Sequence, residues 1–162
     1  MESDSIEIGN SKFGKGIFAK KDIGPGTVLC RLEGRELNFE ETVALKEKES
    51  HSLQIDFDKY ILCEPPFLYS NHSCNPNCAL NHHLELFALK EIKKGEELVW
   101  DYSTSMLERH WTMQCACGEG NCRNTVTDFD LLPRDIQEKY LDLNIVLPFI
   151  AHFIQYQRAK SA

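Results

Sequence analysis

The architecture of this chain depends on one segment, Asn71-His72-Ser73-Cys74-Asn75-Pro76-Asn77-Cys78. It contains two thiols and one imidazole, and the pairs Asn75-Pro76 and Pro76-Asn77 are typical of turns. A polar, turn-rich segment of this kind is usually an exposed loop. This one lies in the middle of the chain, between an aromatic-rich segment at 66–70 and a run that is typical of a strand. An irregular segment at that place indicates a binding site rather than a linker.

Length and composition predict one domain of ordinary size. The chain has 162 residues, of which 42% are hydrophobic, so that one substantial core can form. The formal net charge is −7. This charge argues against direct binding to duplex nucleic acid, which requires lysine and arginine to neutralise phosphates. An acidic surface suits basic partners such as lysine-rich tails, although solubility alone explains it equally well.

The distribution of apolar residues and cysteines predicts an intracellular protein, cytoplasmic or nuclear. The N-terminus has no apolar stretch typical of a signal peptide. The longest apolar run, residues 145–154, is too short to span a bilayer and contains Pro148 and His152, so no membrane association is expected. Disulfides are rare inside cells. Seven cysteines in that setting indicate a metal site or buried thiols.

The hydrophobic pattern predicts several short strands followed by two helices. Alternation at 53–58 is typical of a half-buried strand, and residues 39–49 favour a short exposed helix. Apolar residues at helical spacing predict amphipathic helices at 131–143 and 146–156. Their apolar faces are wider than a lone surface helix needs, so they either complete the core or form the seam of a homodimer.

Three cysteines near the end of the strand-rich region indicate a zinc site. Cys115, Cys117 and Cys122 lie close together, with glycines between the second and the third. Zinc requires four soft ligands in a tetrahedral array, so a fourth must come from elsewhere in the chain. Cys74 and Cys78 are the two candidates.

A thiol at position 74 that binds this metal would place Asn71 and His72 between the metal and the core. There the two side chains would offer hydrogen-bonding groups to a small molecule. The alternative is structural: Asn71 caps a helix and His72 fills a polar niche in the core.

Four segments together resemble a known family. They are Gly14-Lys15-Gly16-Ile17-Phe18-Ala19, Asn71-His72-Ser73-Cys74-x-Pro76-Asn77, Gly95-Glu96-Glu97-Leu98-x-Trp100-Asp101-Tyr102 and Cys115-x-Cys117-x4-Cys122. Their order is similar to that of SET-domain protein lysine methyltransferases with a post-SET zinc knuckle. The resemblance covers roughly residues 6 to 123, and the whole chain looks like a small stand-alone SET protein.

The resemblance implies a mostly β (α+β) fold of several small curved sheets. It implies a knot-like crossing, in which the Asn71–Cys74 segment passes close to Asp101 and Tyr102. The corresponding boundaries are a SET domain at 6–112, a post-SET zinc knuckle at 113–125 and a C-terminal helical appendage at 126–162.

The resemblance also implies roles for particular residues. It assigns the binding of S-adenosylmethionine to Phe13, Gly14, Lys15, Gly16, Asn71 and His72. It assigns catalysis to Tyr102, and the lysine channel to Trp100, Tyr69 and Tyr60. It assigns one structural zinc ion to Cys74, Cys115, Cys117 and Cys122.

The implied function is methyl transfer to a lysine side chain of a basic protein, such as a histone. The rival hypothesis is a catalytically silent SET-like module that binds basic peptides.

Two positions depart from the family pattern. Leu68 stands where arginine is frequent, and Trp100 stands where phenylalanine or tyrosine limits the number of methyl groups added. An indole in the channel favours mono- or dimethylation; the alternative is that Trp100 turns away into the core.

Overall fold

The computed structural model describes residues 4–161, which form several small sheets and a C-terminal helical layer. The strands are Ile6–Ser11 (β1), Gly14–Ala19 (β2), Val28–Arg31 (β3), Gly34–Leu37 (β4), Ser52–Asp56 (β5), Lys59–Cys63 (β6), Asn71–His72 (β7), Cys78–Leu80 (β8), Glu85–Ala88 (β9), Val99–Trp100 (β10), Met113–Gln114 (β11) and Thr125–Val126 (β12). The α-helices are Phe39–Val43 (α1), Arg134–Asp142 (α2) and Pro148–Lys160 (α3). Short 3-10 helices lie at Lys46–His51, Phe67–Tyr69, Tyr102–Ser105 and Phe129–Leu131.

The described strands pair into five sheets of two or three strands each. Two sheets have three strands, in the orders β3-β9-β8 and β4-β6-β5. The other three are the hairpin β1-β2, the pair β7-β10 and the pair β11-β12. This pattern confirms the mostly β fold that the sequence predicts.

The pair β7-β10 brings together two segments that are far apart in sequence. The strands run parallel, with Asn71 opposite Val99 and His72 opposite Trp100. The contact continues beyond the pair, because Ser73 N donates to Trp100 O at 3.0 Å. The predicted approach of the Asn71–Cys74 segment to the Asp101–Tyr102 segment is therefore confirmed.

The helix predicted at 39–49 is shorter than the sequence pattern suggests. Asn38 and Glu41 form a capping box that starts α1, and α1 ends at Val43. Lys46 has a φ of 55°. This left-handed backbone is incompatible with a continuing right-handed helix. The chain therefore re-enters helical geometry only as the 3-10 helix Lys46–His51.

The C-terminal helices belong to the same core as the sheets. One core cluster contains buried residues of β2, β3 and β9 together with Phe129, Tyr140, Leu147 and Ile150. The backbone amide of Leu147 donates to Thr104 O at 3.1 Å. This bond joins the segment before α3 to the 3-10 helix Tyr102–Ser105, which follows β10. The apolar faces of α2 and α3 thus serve this core.

The strand pair β11-β12 spans the predicted boundary at residue 125, and the domain boundaries stay a prediction. Val126 pairs with Met113, so the strand that closes the cysteine knuckle extends past residue 125. Ala162, the last residue of the predicted appendage, lies outside the described residues. Between residues 4 and 161, no helix has the length and apolar character needed to cross a membrane.

Candidate active site and metal centre

Four thiols converge at one end of the molecule. The Sγ atoms of Cys74, Cys115, Cys117 and Cys122 all lie within 4.8 Å of one another, and those of Cys74 and Cys115 are 3.8 Å apart. A zinc ion with bonds of about 2.3 Å to four thiolates requires sulfurs roughly 3.8 Å apart. The donor set therefore fits tetrahedral zinc. Cys78 is fully buried outside this cluster, and burial raises the pKa of its thiol.

Hydrogen bonds hold the cysteine knuckle against the Asn71–Cys78 segment. Asn121 Nδ2 donates to Cys74 O at 2.9 Å, and Asn75 Nδ2 donates to Glu119 Oε2 at 3.1 Å. On the opposite side, Lys12 Nζ donates to Cys117 O at 2.8 Å. The knuckle is thus joined both to the segment before β8 and to the turn between β1 and β2.

His72 links the thiol cluster to the turn that carries Tyr102. Its Nδ1 accepts a hydrogen bond from Tyr102 N at 3.2 Å, and its Nε2 lies 3.5 Å from Cys74 Sγ. A neutral ring that accepts at Nδ1 carries its proton on Nε2, which faces the sulfur. Burial lowers the pKa of His72 to about 4, which favours this neutral form. Because both ring nitrogens are engaged, any contact between His72 and a cofactor falls to its backbone.

The predicted cofactor residues of β2 lie beside Asn71. Asn71 Nδ2 donates to Lys15 O at 2.9 Å and to Glu97 Oε1 at 2.7 Å. Gly16 packs so closely on Glu97 that a Cβ would overlap the carboxylate. A side chain at this position would therefore displace the Glu97 carboxylate from its bond with Asn71. Glu97 belongs to the quoted motif that runs from Gly95 to Tyr102, but the sequence assigned no role to it.

The hairpin turn beside this group is open to solvent. Gly14 has a φ of 105°, and a Cβ built on it meets no atom within 4 Å. Phe13 is 44% exposed and stacks under Lys12 Nζ. The predicted residues 13–16 and Asn71 therefore lie on neighbouring, partly exposed segments.

Tyr102 and Trp100 lie in the wall of one cavity. The Tyr102 hydroxyl donates to Ser70 O at 2.6 Å, and Trp100 Nε1 donates to Ser70 Oγ at 3.0 Å. The two rings are 5.0 Å apart between centroids. Burial raises the pKa of Tyr102, so the phenol stays protonated. Trp100 is only 1% exposed and packs in the core, and it also contributes to the cavity wall.

The cavity combines aromatic and acidic side chains. Its remaining walls are Thr42, Glu49, Ser50, His51, Ser52, Leu53, Gln54, Tyr60, Cys63, Phe67, Leu68, Ser70, Ser105, Met106, Glu108 and Trp111. Tyr60, a predicted channel residue, is among them, whereas Tyr69 packs against the core outside this set. Glu49 pairs with His110 at 2.6 Å. Burial raises the pKa of the Glu108 carboxyl.

Asp101, the neighbour of Tyr102, is a buried carboxylate with partners from three parts of the chain. Its Oδ1 accepts from Arg123 Nη2 at 2.8 Å and from Ser103 N at 3.1 Å. Its Oδ2 accepts from the Tyr140 hydroxyl at 3.0 Å. Sequence reasoning missed these partners. The position of Arg123 directly after Cys122 of the thiol cluster is a usable signal for this cation. Tyr140 is too distant in sequence from Asp101 to leave such a signal.

Comparison with known proteins places this site in a family. The SET domain family matches residues 14–103, which is more than half of the chain and includes β2, the Asn71–Cys78 segment and Tyr102. This chain belongs to the SET domain family.

Curated relatives of this SET domain chain include three histone-lysine N-methyltransferases. Histone-lysine N-methyltransferase NSD3 of Mus musculus is 33% identical over 137 residues, covering 74% of this chain and 9% of that protein. Histone-lysine N-methyltransferase trr of Drosophila melanogaster is 30% identical over 138 residues, covering 74% and 6%. The enzyme of Mycosarcoma maydis described as H3 lysine-36 specific is 30% identical over 138 residues, covering 74% and 14%. The SET domain chain thus spans a small fraction of each relative.

Proposed function

We propose that this SET domain chain transfers a methyl group from S-adenosylmethionine to a lysine side chain of a basic protein. The observation that carries the proposal is the position of Tyr102, which lies in the wall of an aromatic cavity and is bonded through its backbone to His72. The similarity to histone-lysine N-methyltransferases supports the reaction class.

The residues around β2 fit the amino-acid end of the proposed cofactor. The Glu97 carboxylate, the Asn71 amide and the backbone of Lys15 offer hydrogen-bond donors and acceptors side by side. Gly14 leaves the backbone of the hairpin turn open to close approach. When bound, S-adenosylmethionine supplies the methyl group as an electrophile. Phe13, Gly14, Lys15, Gly16 and Asn71, with the backbone of His72, would hold it.

The cavity suits a lysine that must react as a neutral amine. Lowering a lysine pKa from about 10.4 to near 7.4 costs about 4 kcal/mol. A channel with walls such as Trp100, Tyr60 and Phe67 disfavours the charged form by desolvation. The proton leaves to solvent. Tyr102 then orients the amine, so that catalysis depends on position rather than on a general base.

The four-thiol cluster would hold one structural zinc ion. When bound, zinc supplies a cross-link between Cys74 and the knuckle of Cys115, Cys117 and Cys122. The chain's own contribution is to orient the ligands, since His72 Nε2 and Arg123 N both face Cys74 Sγ, at 3.5 Å and 3.4 Å.

The substrate is expected to be rich in lysine and arginine. The chain carries a net charge of −7. This charge attracts a basic segment and disfavours an acidic one. Histones are substrates of the named relatives by description, and we propose the same class here. A nuclear or cytoplasmic location remains a prediction.

The test is methyl transfer from labelled S-adenosylmethionine to a panel of histones and to a protein extract, followed by identification of the modified residues. Label on lysine Nζ is the expected result. Cofactor binding by calorimetry with no transfer to any lysine would instead favour the silent peptide-binding module. The tightly packed Trp100 is the observation that keeps this second candidate open.

A further inference from the structure

Asp101 carries a buried carboxylate that needs hydrogen-bond donors to stabilise its charge. The residue is 2% exposed. A buried carboxylate is costly unless it is paired and hydrogen-bonded. Arg123 supplies a charge-assisted hydrogen bond to Oδ1, and Tyr140 donates to Oδ2. The first donor comes from the cysteine knuckle and the second from α2.

The same carboxylate fixes the turn that carries Tyr102. Asp101 caps the 3-10 helix Tyr102–Ser105 by accepting from Ser103 N. Its backbone carbonyl accepts from Thr104 Oγ1 at 2.8 Å. Oδ1 also lies 3.6 Å from His72 Nδ1, the atom that accepts from Tyr102 N. A shift of Asp101 therefore moves both the start of the turn and the partner of the Tyr102 amide.

The ring of Tyr140 packs in the core, but packing alone does not explain why this residue carries a hydroxyl. Tyr140 is 3% exposed and belongs to the common core. A phenylalanine fills the same space, so only the contact with Asp101 needs the oxygen. Burial and the neighbouring Asp101 carboxylate raise the pKa of Tyr140, which keeps the hydroxyl protonated as a donor.

We propose that Tyr140 is a positioning residue of the active site: with Arg123 it holds the Asp101 carboxylate and thereby the Asp101–Tyr102 turn. The C-terminal helix α2 then forms part of the catalytic apparatus rather than an appendage. The arrangement also couples the thiol cluster to Tyr102, because Arg123 N donates to Cys74 Sγ at 3.4 Å and follows Cys122 directly. The kinetic part of this inference rests on the proposed methyl transfer.

The decisive variant is Tyr140→Phe, compared with two controls in the zinc-loaded full chain. Tyr156→Phe removes a hydroxyl from a tyrosine of α3 that is 58% exposed. Ile150→Val removes one methylene from a fully buried residue of α3, and lowers stability without touching Asp101. Loss of a charge-assisted hydrogen bond changes an equilibrium by about tenfold or more.

Two readouts separate positioning from packing. In Tyr140→Phe we expect kcat to fall about tenfold, while the Kd of the cofactor stays within about twofold. Hydrogen exchange of the amides at 102–105 should accelerate by about tenfold, and neither control should show this change. If Tyr140→Phe matches Ile150→Val, with a lower Tm but unchanged exchange and kcat, the hydroxyl has no positioning role. If the wild-type chain shows no turnover, the proposed function fails, and amide exchange alone decides the inference.

Discussion

The hydroxyl of Tyr102 is the single group on which the proposed chemistry depends. It donates to Ser70 O at 2.6 Å, and the Tyr102 amide is bonded to His72 Nδ1. Tyr102 is therefore held by its hydroxyl and by its backbone amide before any substrate binds. Such preorganisation is worth more in the transition state than in substrate binding.

Replacing this tyrosine gives the first prediction. Tyr102→Phe should lower kcat by about a hundredfold, because the phenolic oxygen that would accept a hydrogen bond from the lysine amine is lost from beside the reacting atoms. The Kd of S-adenosylmethionine should stay within a few-fold, since the predicted cofactor contacts come from residues 13–16 and Asn71. Single-turnover kinetics and calorimetry measure the two quantities. Near-normal turnover in this variant would assign the catalytic role to another residue.

Trp100 is the residue whose size should set the number of methyl groups. Its ring lies 5.0 Å from that of Tyr102, and its N–H is already bonded to Ser70 Oγ. Trp100→Phe frees space next to Tyr102, and Ser70 Oγ keeps its own bond to Phe67 O. We expect the wild-type chain to stop at mono- or dimethyllysine and the variant to proceed toward trimethyllysine.

Mass spectrometry of a saturating reaction on the best substrate tests this prediction. Trp111→Phe is the matched control, because Trp111 also lines the cavity. The control should leave the product distribution unchanged. A wild-type product that is already mainly trimethyllysine would show that Trp100 serves only the core.

At the scale of elements, the cysteine knuckle should be ordered by its metal. We expect one zinc ion per chain by elemental analysis. Cys117→Ser should lose this zinc and weaken cofactor binding, because Lys12 joins Cys117 O to the turn next to Gly14. Cys78→Ala is the control: it removes a buried thiol outside the cluster, so it should lower Tm while the zinc content stays at one equivalent. Full cofactor affinity in metal-free protein would contradict this account of the knuckle.

The helices α2 and α3 should complete the core of a monomer rather than form the interface of a homodimer. Phe149, Ile150 and Ile154 are buried within the common core, while Leu143 and Tyr156 remain exposed. Since the apolar faces are already covered, we expect a monomer in sedimentation velocity at several protein concentrations. A dimer that persists on dilution would contradict this prediction and would show that the exposed side chains form a homodimer interface.

At the scale of the whole molecule, local patterns in the sequence predict many of the strands and the grouping of Cys115, Cys117 and Cys122. The role of Tyr102 comes only from the family resemblance and stays a prediction. Cys74 could be chosen over Cys78 as the fourth ligand only through the family resemblance. The structure places the Cys74 thiol beside the other three, while its role as a ligand stays a prediction. Other features depend on distant contacts and leave no periodicity. An example is the hydrogen bond from Tyr140 to Asp101. The end of α1 at Val43 is a local feature, but the left-handed backbone of Lys46 has no signal in the residue type, because lysine rarely adopts it. Membership of the SET domain family accounts for the general architecture, while these contacts emerge only from the structure.

The central claim is that this SET domain chain methylates lysine, and one measurement tests it directly. Zinc-loaded protein is incubated with S-adenosylmethionine and the histone panel, and the products are mapped by tandem mass spectrometry beside a Tyr102→Phe reaction. We expect methyl groups on lysine Nζ with the wild-type protein and at most a trace with the Tyr102→Phe variant. Protein that binds the cofactor and yet modifies no lysine, or a Tyr102→Phe variant that modifies lysine equally well, would contradict it.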